Sequence, residues 1–296
     1  MKDILNQITI LTTQITLWSG RKRLKEEDLK LADGSELPPA ALASLGSKKV
    51  MDPAALAVFE RLKRRAEREI LAVGTRFLNG YAVPRGALKE LMPKLVAIEE
   101  EFDKAKQAFL AEYDEAVESW ITANPGWEEV IRRSVEDAGY VGRQLNFAIQ
   151  AFQITPPRAH RSGLEKEVGG LAGQLRQEIA QMAHACWESS FENRTEVGQR
   201  ALRPVRAMAR KMEGLTFLEP GLHELVAGIQ MILDALPTAG PVKGANFASV
   251  CGVLSLLGDI PAAREAALSS VEETEEDEEL EIASVTTPAA FPAQWF

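Results

Sequence analysis

The chain is short of the residues from which most active sites and metal centres are built. It has 2 cysteines and 3 histidines among 296 residues, and they are scattered. Neither Cys186 nor Cys251 has a second ligand at zinc-like spacing, and His160, His184 and His223 have no partner one helical turn away. His184 and Cys186 are two apart, which on a helix points them about 200° from each other, so they form no dyad. A metal site would have to be assembled from distant segments. Cys186 lies in a helical stretch and is expected as a small buried thiol. The sequence also has no run of about eighteen apolar residues, as a membrane helix requires. Its start, MKDILNQITILTTQ, lacks the basic-then-apolar layout of a signal peptide, so the expected location is the cytoplasm.

Motifs that carry chemistry are equally scarce. Gly46-Ser47-Lys48-Lys49 resembles the end of a phosphate loop, but the leading glycine is missing and a serine separates Gly46 from the lysines. There is no Gly-x-Ser-x-Gly elbow and no kinase-like set. Acidic residues on the long helices alternate with lysines, a pattern of solvated faces rather than of carboxyls with shifted pKa. No catalytic, cofactor-binding or metal-binding residue is therefore expected, and an enzyme ranks third among the functional readings.

What is present is a large apolar fraction, 46%, enough to bury a sizeable core, and a charge confined to one place. Eight acidic residues (Glu272, Glu273, Glu275, Glu276, Asp277, Glu278, Glu279 and Glu281) form one run, and no Lys or Arg follows Arg264. Without them the net charge of −9 would be about −1. The expectation is a body over residues 1–265 and a disordered acidic tail over 266–296.

Within the body, residues 8–18 are dense in Ile and Thr and read as strand. Asp52 and Pro53 suit the N-cap and first position of a helix running to about Gly74. Asn79-Gly80, between two β-compatible runs in 75–84, signals a hairpin. From 86 to 123, Leu88, Leu91, Leu95, Ile98, Phe102, Phe109, Tyr113, Val117 and Trp120 recur at helical spacing, with Pro93 as a possible first-turn residue. A second long helix is read over 163–191, where Gly169 and Gly173 suggest close packing against a neighbour. Shorter helices are read at 127–137, 141–149, 195–212, 220–236 and 244–257, with 152–154 extended. The fold class expected is mainly α: the long helices 86–123 and 163–191 pair as an antiparallel, coiled-coil-like arm, with a helical bundle and a small β element from 8–18 and 75–84.

Two polar or exposed features stand out. Arg203, Arg206 and Arg210 fall within about 60° on one helix face, a stripe suited to phosphates or to an acidic partner surface; the plainer alternative is a solvated face bridged to nearby glutamates. The second is the tail's end, where Phe291, Trp295 and Phe296 form a possible docking motif, set against a flexible end without a role. Arg61, Lys63, Arg64, Arg65 and Arg68 are interleaved with glutamates and read as a solvated face.

The chain resembles an uncharacterised family, a domain of unknown function, of bacterial mobile elements and phages. The resemblance is carried by Trp18-Ser19-Gly20-Arg21-Lys22, Leu45-Gly46-Ser47-Lys48-Lys49 with Asp52-Pro53, Gly74-Thr75-Arg76-Phe77-Leu78 with Gly80 and Tyr81-Ala82-Val83-Pro84, Phe109-Leu110 with Tyr113 and Trp120, and Gly214-Leu215-Thr216-Phe217. Members are often encoded beside a MoxR-type AAA ATPase and a von Willebrand factor A domain protein. The resemblance implies a non-catalytic adaptor or scaffold subunit for that ATPase system. The alternative is a nucleic-acid-associated factor in element maintenance or phage defence. The acidic tail is not part of the family pattern.

Overall fold

The computed structural model describes residues 1–28, 45–156 and 161–267. In chain order the elements are α1 (Lys2–Gln7), β1 (Ile8–Thr16), β2 (Arg21–Arg23), β3 (Ser47–Lys49), α2 (Pro53–Leu71), β4 (Thr75–Phe77), β5 (Gly80–Pro84), α3 (Leu88–Ala111), α4 (Tyr113–Thr122), α5 (Glu128–Arg132), α6 (Ala138–Gln144) and β6 (Asn146–Phe152). There follow α7 (Ser162–Ser190), β7 (Glu196–Val197), α8 (Leu202–Gly214), α9 (Leu222–Ala235), β8 (Val242–Lys243) and α10 (Gly244–Gly258), and residues 261–267 are helical as well. The protein is mainly helical with a small antiparallel sheet. The stretch expected as one body holds two compact units: of the described residues, those within 1–11, 70–88 and 151–267 form the first, those within 12–69 and 89–150 the second.

The first unit is a helical core on a small sheet, with Trp187, Phe191 and Phe247 stacked among its aliphatic side chains. α7 packs against α10, β4 and α8, and α8 against α9. Its buried stripe, Val168, Leu171, Leu175, Ile179, Ala183 and Cys186, follows the helical period. The start of β1 pairs antiparallel with β5, Ile8 opposite Pro84 and Leu11 opposite Tyr81. β4 pairs with β5 across the expected hairpin, although the turn sits one residue early. Gly80 is already in the ladder opposite Phe77, so the left-handed backbone falls on Leu78, at φ 52°. Gly74 links α2 to this hairpin where a Cβ would come within 2.8 Å of the Ala82 carbonyl oxygen.

The second unit is built on aromatic edges. Trp18, Tyr113, Phe109, Phe59, Phe102 and Phe147 form a chain of ring contacts with centroid separations of 5.9, 5.8, 5.7, 5.0 and 5.4 Å. α2 begins as expected, with Asp52 Oδ1 accepting from the Ala54 N–H at 2.9 Å. Contacts between α2 and α3 run in opposite senses: Glu69 meets Lys94, Arg65 meets Glu101, and Phe59 meets Phe102 and Phe109. α2 and α3 are therefore antiparallel neighbours.

Several expectations are corrected here. The long helices read over 86–123 and 163–191 belong to different units, α3's neighbour being α2 and α7's being α10, β4 and α8. An amphipathic stripe shows that a face is buried, not against what. The first of them is also interrupted at Glu112, at φ −101° and ψ 4°, and Pro93 lies inside α3 rather than at its start. The helix expected over 141–149 ends at Gln144, and β6 takes Asn146–Phe152. Among the described residues nothing packs against Gly169 or Gly173: a Cβ at either would meet none of their atoms within 4 Å. Pro204 falls in the first turn of α8, which starts at Leu202, where its missing N–H costs no intrahelical bond.

Candidate functional site

The first unit presents a groove between α8 and α9, of about 420 Å³, lined by Arg203, Arg206, Ala209, Arg210, Gln230, Leu233 and Asp234. Val205, Met208, Ala209 and Met212 are buried on α8, which turns the three arginines together toward the groove. Arg210 Nε donates to the Arg206 carbonyl oxygen at 3.3 Å. None of the three guanidiniums has a carboxylate within ion-pairing distance among the described residues. Asp234 is the one carboxylate in that lining. Met231, 73% exposed, lies beside Gln230 on α9.

Near the start of α9 an apolar cleft of about 280 Å³ is lined by Leu175, Ile179, Met212, Leu222, Leu225 and Leu257, with Arg176, Glu219 and Asp259 among its polar edge residues. Arg176 and Glu219 are ion-paired.

Beneath these surfaces lies an ion pair. Lys211 Nζ, 2% exposed, donates to Glu178 Oε2 at 2.7 Å. Glu178 Oε1 accepts from the Arg76 N–H and from Gln174 Nε2, both at 3.0 Å. Burial pushes the Glu178 carboxyl up, but Lys211, Gln174 and the Arg76 N–H outweigh it, and the group is held below the ordinary carboxylate range. The pair ties α7, α8 and β4 together and offers no reactive group. Nearby, Thr75 Oγ1 is buried without a hydrogen-bond partner. Burial pushes the Cys186 thiol to about 11 and the Cys251 thiol to about 12. Both are free and buried, as expected for Cys186, and thiolate chemistry is suppressed at each.

In the second unit the failed phosphate-loop sequence is strand. Ser47–Lys49 pairs with Arg21–Arg23, Arg21 opposite Lys49 and Lys22 opposite Lys48. Gly20, at φ 61°, opens the ribbon at a point where a Cβ would lie 3.0 Å from Leu56 Cδ1. The ribbon's two faces differ. Lys22 is ion-paired with Glu136, which also accepts from Trp18 Nε1 at 3.0 Å. Lys48 is ion-paired with Asp28, which accepts from Arg133 at 2.5 Å and from the Lys25 N–H at 2.8 Å. Burial raises the Asp28 carboxyl, but Lys48, the Lys25 N–H and Arg133 together bring it down to about 2. Arg21, Arg23 and Lys49 are exposed on the opposite face. Tyr113 donates to the Glu136 carbonyl oxygen at 2.8 Å. Burial, with the nearby Glu136, Asp114 and Asp137 charges, pushes its phenol to about 12.

The structure gathers Arg203, Arg206 and Arg210 in one groove. Phe291, Trp295, Phe296, the acidic run and His160 lie outside the described residues. His184 and His223 are exposed, and among the described residues no group of three or more His, Cys, Asp or Glu is placed to hold a metal ion. No described helix is long and apolar enough to cross a membrane. The reading of sequence missed the Glu178–Lys211 pair, although a signal was there. Glu178 falls on the apolar stripe of α7 between Leu175 and Met182, and Lys211 stands between buried Met208 and Met212 on α8. Opposite charges on two buried stripes ask for each other. It also missed the Asp28 clamp and the apolar cleft, which depend on contacts between distant segments.

No curated protein and no solved structure matches the chain. Residues 5–259, which include every element from β1 to α10 together with the groove and the clamp, match the family model described as a protein of unknown function (DUF3150), and the chain belongs to that family.

Proposed function

We propose that the protein is a non-catalytic adaptor or scaffold, acting in the cytoplasm with a MoxR-type AAA ATPase and a von Willebrand factor A domain protein encoded on the same mobile element. The ATPase and its companion come from the family resemblance. The observation that supports a docking role is the α8–α9 groove, where three guanidiniums that form no ion pair among the described residues share a lining with the single carboxylate of Asp234 and with Leu233. Guanidiniums in a fixed row recognise carboxylates in pairs. An acidic partner surface is the chemistry that fits.

The test is affinity purification of the tagged full-length chain from its native host, with and without nucleotide. Recovery of the ATPase or the von Willebrand factor A domain protein, lost with Arg203→Glu, Arg206→Glu and Arg210→Glu together, is the expected result. Failure to recover either under any nucleotide condition removes the adaptor reading.

A second reading, a nucleic-acid-associated factor, is favoured by the β2–β3 ribbon, whose Arg21, Arg23 and Lys49 share an exposed face. A β-ribbon with a basic face suits a phosphate backbone. A gel shift at low salt that weakens steeply as salt rises would support it; no shift at low salt ends it.

A further inference from the structure

The adaptor reading uses the arginine groove and leaves the apolar cleft without an occupant. The cleft's floor is Leu175, Ile179, Met212 and Leu222, each 2–3% exposed, while Leu225 and Leu257 are only partly covered. At about 280 Å³ it falls just below ordinary ligand pockets and suits inserted side chains better than a cofactor. We propose that it is the docking site for the chain's own segment Phe291-Pro292-Ala293-Gln294-Trp295-Phe296, held in the same molecule.

The argument is one of position and of chemistry, and it is independent of the adaptor reading. Leu256, Leu257, Gly258 and Asp259 line the cleft, so the chain leaves α10 at the cleft's edge and the described part ends only eight residues later, at 267. The 23 residues from 268 to 290 can span on the order of 75 Å when extended, so reach is not limiting. A tethered segment meets its site at an effective concentration on the order of millimolar, so even modest intrinsic affinity fills the cleft. Residues 268–290 contain no aromatic side chain and carry the acidic run, whereas 291–296 contain three aromatics and no charged side chain. The uncharged stretch 282–290 has only Ile282, Val285 and small side chains to offer an apolar lining, whereas 291–296 brings three large aromatic ones. A tryptophan has one further requirement, an acceptor for its indole N–H at the rim of an otherwise apolar site, and the Glu219 and Asp259 carboxylates stand at that edge.

The experiment uses the full-length chain labelled with 5-fluorotryptophan. Its 5 tryptophans give separate fluorine resonances, and Trp295→Phe identifies that of Trp295. The expected result is a Trp295 resonance displaced from the free-indole position and protected from the solvent isotope shift. It should move to the free position in Leu225→Glu, and equally in Phe291→Ala with Phe296→Ala, which leaves the helices untouched. The other four resonances, Trp187 of the first unit among them, should stay in place and show that the fold is retained. A Trp295 resonance at the free-indole position in the unsubstituted chain overturns the proposal. So does a displaced one that ignores Leu225→Glu while the other four are unchanged, since the segment would then dock elsewhere. Displacement that disappears on hundredfold dilution overturns docking within one molecule and assigns the cleft to the segment of a second copy.

Discussion

The first unit seals one complete ion pair inside its helical core, while the second gathers its charges along a ribbon and leaves the cations of its pairs partly in water. Lys211 and Glu178 have side chains 2% and 11% exposed. In the second unit Asp28 is fully buried, but its partners Lys48 and Arg133 are 12% and 45% exposed, and Lys22 and Glu136 are 34% and 20% exposed. The same pairing of charges thus has two different consequences. When one member is removed from a dry pair, the other keeps its charge with nothing to solvate it. When one member is removed from a half-wet cluster, water takes the vacated place.

The largest expected effect breaks that comparison most directly. Lys211→Met should cost about 3–5 kcal/mol, because it strands the Glu178 carboxylate. Lys211→Met with Glu178→Gln should recover part of the loss, since a neutral amide still accepts from the Arg76 N–H. Urea unfolding of the two variants and the unsubstituted protein measures both. A loss under about 1 kcal/mol for Lys211→Met would mean that water reaches the pair and that the two units do not differ in this respect.

Asp28→Asn should cost less, on the order of 1–3 kcal/mol, because Lys48 and Arg133 can turn toward solvent. The pH dependence has a definite sign. The Asp28 carboxyl lies at about 2 in the folded protein, below its ordinary value of roughly 3.9. Its contribution is therefore complete above about pH 4 and is lost as pH falls from there toward 2. Urea midpoints measured between pH 5 and 2 should fall more steeply for the unsubstituted protein than for Asp28→Asn. Parallel slopes would remove the clamp from the account of the second unit.

These comparisons also mark where the sequence is legible. The stripe of α7 and the apolar spacing of α8, α9 and α10 are visible because a helix must bury residues at every third or fourth position. β1 and the hairpin are visible through Ile, Thr and Asn-Gly chemistry. β6 was hidden because Val141, Leu145 and Ile149 fit a helical repeat while Phe147, Ile149 and Ala151 fit an alternating one. The ribbon was hidden because three-residue strands of Lys, Arg and Ser have no hydrophobic period, and their pairing joins residues more than twenty apart. Of the candidate surfaces, the arginine stripe could be read from spacing on a single helix. The cleft could not, since its walls come from four helices, α7, α8, α9 and α10, whose association leaves no mark on any one of them.

A smaller effect concerns the hairpin of the first unit. Leu78 is held at φ 52° and is 54% exposed, so it bears left-handed strain and gains little from burial. Leu78→Gly should stabilise the protein by about 1 kcal/mol, read from the urea midpoint. A loss instead would show that the exposed leucine makes a contact worth more than the strain, and the hairpin would then need the side chain as well as the turn.

The smallest effect contrasts the longest helix of each unit. α3 in the second unit is filled with Glu, Lys, Leu and Ala and contains no glycine, whereas α7 in the first carries Gly169, Gly170 and Gly173 on open surface. A glycine inside a helix costs roughly 0.5–1 kcal/mol relative to alanine when nothing requires the absence of a Cβ. Gly169→Ala and Gly173→Ala should therefore each raise stability by up to that amount. Gly169 is nine residues from Glu178 on the same helix, so its gain should add to the loss measured for Lys211→Met, whereas Gly173 adjoins Gln174, a donor to Glu178. A stability loss at either position would mean that the exposed glycine face of α7 is covered in solution, and a surface of the first unit that stands open in this structure would then belong to an interface.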